Sequence, residues 1–387
     1  MKKILLGTSA LVGAAALFAG AANAAETPKI TLGGFSTFQA GFTSEDLDTN
    51  QRSGAFRSDN VITVRVNGKT DGGLGYGAGI DLEADTSSNA DSAGVNSERT
   101  FVYVDGKWGK LQGGSDFGVT KTMKVDASSI ARASGGIDGD FTYFFNTAGT
   151  ASSTATNTVG TGQVLATPDL FLDYGVGVTG NESSQAINKI SYYTPRFSGF
   201  QAGVSYLFDT TGADTGQMLS RANNTTGEAK NVVLGALNYQ GKFSNVGVEL
   251  GATGEWGNSE DSTQNDLRTW QAGAKLGYMG FSVAGSYANL GDSLRLKSAG
   301  SDSSNRIWTV GGAYETGPFG ASVTYLDSRY DGGATHNDFS NLSFGVDYKL
   351  AAGLTPYAEV DVIRFDPTGT VNDNDATVVL VGTQLAF

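Results

Sequence analysis

The chain has 387 residues, with 55 Gly, 6 Pro, no Cys and one His, and a formal charge of −13 from 26 Lys+Arg against 39 Asp+Glu. Without Cys there is neither a disulfide framework nor a thiolate metal site, and a lone His336 excludes a multi-His cluster. The acidic balance argues against nucleic acid, whose phosphates need a basic surface, and 21 Phe with 15 Tyr give too much apolar bulk for a disordered chain.

Met1-Lys2-Lys3 forms a short basic region, Ile4 to Gly20 is apolar and small, and Ala22-Asn23-Ala24 is an A-x-A cleavage site. This predicts a secretory signal peptide over 1–24 with cleavage before Ala25. Loss of Lys2 and Lys3 takes the formal charge to about −15. No later run of ~18 apolar residues supplies a membrane helix.

From Lys29 onward the hydrophobic period is 2, which gives one apolar and one polar face. Ile30, Leu32, Phe38, Ala40 and Phe42 share one parity, and Lys29, Thr31, Thr37 and Gln39 the other. Ile62, Val64 and Val66 oppose Thr63, Arg65 and Asn67. Leu74, Tyr76, Ala78, Ile80, Leu82 and Ala84 alternate with Gly75, Gly77, Gly79, Asp81 and Glu83. At the far end Val379, Val381, Leu385 and Phe387 share a parity opposite Gln384.

Sixteen strands are predicted, over about 29–44, 58–69, 73–85, 97–107, 109–117, 188–195, 199–208, 229–240, 246–256, 266–278, 280–290, 304–315, 319–330, 338–350, 354–365 and 376–387. Short turns alternate with long polar loops, and one connection, about 118–187, is far longer than the rest. An even number of strands, short turns at one end and long loops at the other predict an all-β, antiparallel transmembrane barrel. A closed barrel leaves no sheet edge and satisfies every backbone group in lipid. Gly75, Gly77 and Gly79 are expected to point inward and leave room in the lumen.

Ser97 to Gly114, with Arg99 opening a strand and Trp108-Gly109 closing a turn, resembles the strand–turn–strand ahead of the long loop in Gram-negative general porins. Asn188-Lys189-Ile190-Ser191-Tyr192-Tyr193-Thr194-Pro195, then Gly199-Phe200 and Ser205-Tyr206, resembles the porin pattern N-x-I-x-Y-x-x-P…G-F…S-Y. Terminal Phe387 resembles the assembly signal of outer-membrane barrels. The resemblance covers nearly the whole mature chain and is closest to the α-proteobacterial type. It implies a 16-stranded, homotrimeric porin of the Gram-negative outer membrane, with the third external loop folded into the lumen and passive diffusion of small hydrophilic solutes and ions.

A barrel of this size is too wide for side chains to fill, so selection falls to width and field. The long connection carries Lys121, Lys124, Arg132, Asp126, Asp138 and Asp140, with Phe141, Tyr143, Phe144 and Phe145 to dock on the wall. Arg65 and Arg99 lie on the inward parity, as do Asp81, Glu83, Glu359 and Asp361. By the resemblance, a basic wall at Arg65 and Arg99 opposes the acidic loop. The mature charge predicts cation preference. Trp108, Trp256, Trp270, Trp308, Tyr278, Tyr348 and Tyr357 fall near strand ends, where aromatic girdles belong.

No cofactor is expected. Asp373-Asn374-Asp375 and Ser301-Asp302-Ser303 offer oxygen ligands for Ca²⁺ or another divalent cation, and acidic loops can share such cations with lipopolysaccharide phosphates, so outer-membrane lipid and lipopolysaccharide are the expected partners. Catalysis is not expected: His336, near Asp331, Asp338 and Ser340, lacks the assembly a hydrolase needs. The alternative is a substrate-specific sugar channel, whose aromatic slide would start from inward-parity Phe35, Phe101 and Tyr103.

Overall fold

The computed structural model describes residues 27–46, 52–85, 96–145, 165–172, 187–210, 224, 226–299, 305–331, 336–368 and 373–387. The expected signal peptide over 1–24 lies outside them. The strands are β1 (Lys29–Glu45), β2 (Gly54–Lys69), β3 (Gly75–Glu83), β4 (Asn96–Gly106), β5 (Gly109–Ser115), β6 (Asn188–Tyr193), β7 (Phe200–Asp209) and β8 (Ala229–Phe243). They continue as β9 (Val246–Ser259), β10 (Leu267–Tyr278), β11 (Phe281–Gly291), β12 (Asn305–Thr316), β13 (Phe319–Asp331), β14 (His336–Tyr348), β15 (Leu354–Pro367) and β16 (Asn374–Ala386).

Each strand pairs with its sequence neighbours, and β1 pairs with β16, so the sixteen strands form one closed antiparallel barrel. The closing seam runs from Phe35↔Ala386 to Glu45↔Ala376. Beyond it Gly34 N donates to Phe387 O at 3.0 Å and Phe387 N donates to Gly34 O at 3.1 Å. Closure matters because an unpaired backbone group in lipid costs several kcal/mol.

The even–odd pattern sorts side chains as the sequence requires. Leu32 and Phe56 are about three-quarters exposed, and Phe38, Val102, Leu237, Val310 and Val381 share that outer face. On the other parity Thr37, Gln39, Asp81, Ser205, Thr269, Asn341 and Glu359 are buried. A one-residue slip would exchange the two sets. Tight hairpins hold the register: at β10–β11, Met279 (φ 47°) and Gly280 (φ 84°) both take positive φ, the two-residue turn that fits the strand twist.

Aromatics band the outer face at two levels. Near the loop-bearing end Trp270 and Tyr287 have ring centroids 5.7 Å apart, and Trp308 and Tyr325 5.1 Å apart. Near the short-turn end are Phe200–Tyr239 at 4.7 Å and Phe281–Tyr314 at 4.4 Å. Trp108, Trp256, Tyr278 and Tyr348 are exposed in keeping with a girdle. Tyr357 is not part of it. It has the inward parity, is buried, and its hydroxyl donates to Gln39 Oε1 at 2.9 Å.

Candidate functional site

Residues 118–145 and 165–172 lie against inward-parity side chains. The first segment opens with a short helix, α1 (Val119–Thr122), and continues through 3-10 turns at Ala127–Ile130, Gly136–Asp138 and Asp140–Tyr143. Its backbone is tied to the wall at successive strands. Val119 N donates to Ser205 Oγ of β7 at 3.2 Å, Ala127 N to Thr309 Oγ1 of β12 at 3.1 Å, and Arg132 N to Ser322 Oγ of β13 at 2.9 Å. Gly136 N and Ser134 N donate to Glu359 Oε2 of β15 at 3.0 and 3.1 Å. In the second segment, Leu172 N donates to Glu255 of β9 at 3.2–3.3 Å.

Inward glycines make this approach possible. A Cβ on Gly251 would stand 3.0 Å from Val125 N, and one on Gly345 2.8 Å from Arg132 O. A Cβ on Gly273 would overlap Val125 O, and one on Gly41 would overlap the Phe144 ring. These glycines seat the backbone of the inner segment. Gly75, Gly77 and Gly79 were expected to leave room in the lumen; instead the Asp105 carboxylate and the rings of Tyr103 and Phe101 from the neighbouring strand fill those spaces.

An ion network fixes the inner segment to itself. Lys121 Nζ lies 2.7 Å from Asp169 Oδ2 and 3.4 Å from Asp138 Oδ2. Lys124 Nζ lies 2.6 Å from Asp169, 3.0 Å from Asp126 and 3.6 Å from Asp138. Burial alone would raise the Asp169 carboxyl, but the charges of Lys121 and Lys124 overcome it and hold the group at about 2. Asp138 is raised, by burial first and by the Asp169 charge second. Burial opposes the Lys124 charge, and Asp126, Asp169 and Asp138 more than offset it, so Lys124 is raised well above its ordinary value.

Arg57 supplies the contact between wall charge and inner-segment acid. Its Nη1 lies 3.3 Å from Asp140 Oδ2 and 3.2 Å from Asp59 Oδ2, and its guanidinium stacks 3.8 Å over the Tyr143 ring. Gln39 Nε2 donates to the same Asp140 oxygen at 2.6 Å. Burial raises the Asp140 carboxyl, and Arg57 and Gln39 offset part of the rise.

The two arginines expected to oppose the loop do something else. Arg65 Nη1 pairs with Asp81 Oδ1, and Arg99 Nε lies 3.0 Å from Asp81 Oδ2. Asp81 sits directly across from Arg99, beside a β-bulge between Asp81 and Leu82. A carboxylate on the adjacent strand is nearer than any across the barrel, so the short-range pair wins. Arg132 likewise turns to the wall, 3.1 Å from Glu315 and 3.2 Å from Asp347. Glu359 and Asp361 have the inward parity but are fully buried beside the inner segment.

Glu83 joins Asp59 and Asp85, with one oxygen of each carboxylate within 4.8 Å of the others. The two loop triplets expected to offer metal ligands give no such grouping among the described residues. Asn374 Nδ2 is engaged with Glu45 Oε2 at 2.8 Å, and 301–303 lie outside the described residues. His336 Nε2 is 3.8 Å from Asp338 Oδ2, on the outer parity.

A closed antiparallel barrel of sixteen strands has counterparts among known proteins. The sequence profile of the Gram-negative porin family matches residues 8–368. The chain belongs to that family. As a porin it is an outer-membrane channel for passive diffusion. An uncharacterized protein of Rickettsia bellii is 24% identical over the full length of both chains. Outer membrane porin protein 32 of Delftia acidovorans is 27% identical over 54% of this porin and 50% of its own length. Among solved structures, the anion-selective porin from Comamonas acidovorans has a TM-score of 0.61 at 16% identity, covering 93% of this chain and 100% of its own. A mutant of Rh. blastica porin has a TM-score of 0.55 at 18% identity with the same coverage.

Proposed function

We propose that residues 118–145 and 165–172 narrow the lumen to the point at which this porin selects solutes by size and charge. The observation that carries the reading is the Arg57–Asp140 contact, an ion pair between the inward face of β2 and the inner segment. The pair fixes the segment against β2 and so narrows the water-filled lumen, and the charges lining what remains order dipolar solutes and penalise large apolar ones. Lys121, Lys124, Asp126 and Asp138 hold the segment in shape, and Arg65, Arg99, Asp81 and Glu83 line the wall beside it. The net charge, with the carboxylates of Asp59, Glu83 and Asp85 on that wall, favours cations over anions.

The working unit is a homotrimer in contact with outer-membrane lipid and lipopolysaccharide, and the transport is diffusion without catalysis or a cofactor. Liposome swelling over a graded series of sugars tests the general pore: entry rates falling smoothly with solute size support it. Saturable block of the current by one sugar would replace it with a substrate-specific channel. Reversal potentials in a salt gradient decide the charge preference, and clear anion selectivity would overturn that part.

A further inference from the structure

Thr324 of β13, Ser343 of β14 and Asp361 of β15 stand directly across from one another on the inward parity. Asn341 is two residues from Ser343, and Glu359 two residues from Asp361, on the same face. Each of these five polar side chains is at most 1% exposed. Leu326 and Ile363, both buried, flank Asn341 in register, and buried Phe339 follows it toward the loop-bearing end. On the lumen side the 3-10 turn at Gly136–Asp138 packs over β13 and β14.

The polar groups in this closed chamber are under-used. Asn341 Nδ2 donates to Asp361 Oδ1 at 3.1 Å, and Ser343 and Glu359 lie beside the same carboxyl. Yet Thr324 Oγ1, Ser343 Oγ, Asn341 Oδ1 and Asp361 Oδ2 are buried with no hydrogen-bond partner. Neither carboxylate has an ion pair within 4 Å among the described residues. Two neighbouring carboxylates away from water are costly unless positive charge meets them. Gly136 (φ 61°) leaves space above the hydroxyls: a Cβ there would stand 2.7 Å from Thr324 Oγ1 and 3.6 Å from Ser343 Oγ.

We propose that this chamber binds one calcium ion, which ties the bend of the inner segment to β13–β15. The donors are all oxygens, which select a hard cation, and two carboxylates match a divalent charge. A mixed carboxylate, amide and hydroxyl set without strict octahedral order suits calcium better than magnesium. Asp361 is the direct anionic ligand. Glu359 accepts from Ser134 N, Ser134 Oγ and Gly136 N. A carboxylate has about four acceptor positions, so Glu359 keeps one for the ion and links it to the bend. The ion is structural, and its role is independent of how the lumen selects solutes.

The test starts from purified porin unfolded in chelator and refolded in detergent free of lipopolysaccharide, with or without millimolar calcium. Bound metal is read by elemental mass spectrometry after desalting, and stability by the temperature at which the folded band is lost on gels. The wild type should keep about one calcium per chain and melt several degrees higher when folded with it. D361N should lose both effects, and the milder S343A/T324V variant should bind roughly tenfold more weakly. D59N/D85N, which alters the separate acidic group on β2 and beyond β3, should keep the ion. A wild type that retains no calcium and melts alike in both conditions would overturn the proposal, leaving a proton shared by Glu359 and Asp361 in its place. Wild-type affinity in S343A/T324V, or loss of calcium in D59N/D85N with retention in D361N, would overturn it as well. Reversal potentials of the same preparations report separately on solute selection, so failure of either reading leaves the other standing.

Discussion

Gly273 of β10 and Val125 of the inner segment occupy space that no side chain can share. A Cβ on Gly273 would overlap the Val125 carbonyl oxygen and stand 2.9 Å from the carbonyl carbon. The clash is with backbone, so no rotamer change relieves it. Gly273→Leu should force the inner segment off the wall, at a cost of about 1–3 kcal/mol. In single-channel recordings its conductance should move outside the wild-type range. Gly247→Leu is the control, because its Cβ meets nothing nearer than 3.8 Å, and its conductance should stay within that range.

Arg57 and Asp140 should control ion preference in opposite senses. Arg57→Gln removes the cation and leaves Asp140 facing the passage, so the reversal potential in a KCl gradient should shift toward stronger cation preference. Asp140→Asn should shift it toward anions. Each change should alter the permeability ratio severalfold while leaving the heat-resistant folded band on gels intact. Equal shifts in one direction would show that the pair does not face permeating ions.

Acid should act in two stages. Asp140 is raised by burial, so it loses its charge above the ordinary Asp range, and cation preference should weaken first. Asp169 is held at about 2 by Lys121 and Lys124, against about 3.9 for an unperturbed Asp. A depressed carboxyl contributes stability that is present above its unfolded value and is lost as pH falls through the folded one. The Asp169 bridges to Lys121 and Lys124 should therefore survive to about pH 4 and open between there and pH 2, after the raised Asp138 has lost its charge. Reversal potential and conductance followed together from pH 7 to pH 2 check this order. A conductance change that precedes the loss of selectivity would contradict it.

Glu359→Ala should loosen the inner segment near its glycine-rich bend. The carboxylate accepts from Ser134 N, Ser134 Oγ and Gly136 N. Its loss leaves buried donors unpaired, at about 1–3 kcal/mol each. Limited trypsinolysis after Arg132 should accelerate, and open-channel current noise should rise. Proteolysis unchanged from wild type would place the anchor elsewhere.

The barrel was legible because period 2 is a local signal. The strand at 29–44 needed only its own residues to show its face, and the observed β1 ends one residue later. Closure followed from the even count and the sorted loop lengths. Arg57 was missed because 45–57 is polar and reads as a loop, whereas β2 begins at Gly54 and pairs Arg57 with Gln39. Asp169 was missed for a different reason. Its partners Lys121 and Lys124 lie more than forty residues away, and no local pattern records that contact. The inward glycines show a third limit. Nothing local marks Gly251, Gly273 and Gly345 as seats, and only the path of the segment above them shows that its backbone fills the space.

Single-channel recording of the purified, folded protein in a planar bilayer decides whether a water-filled passage runs through the barrel past Arg57 and Asp140. Discrete, ohmic current steps are expected, with a reversal potential in a salt gradient that moves when Asp140 is replaced by Asn. A folded barrel that inserts yet passes no ions, or whose selectivity ignores both Arg57 and Asp140, would contradict it.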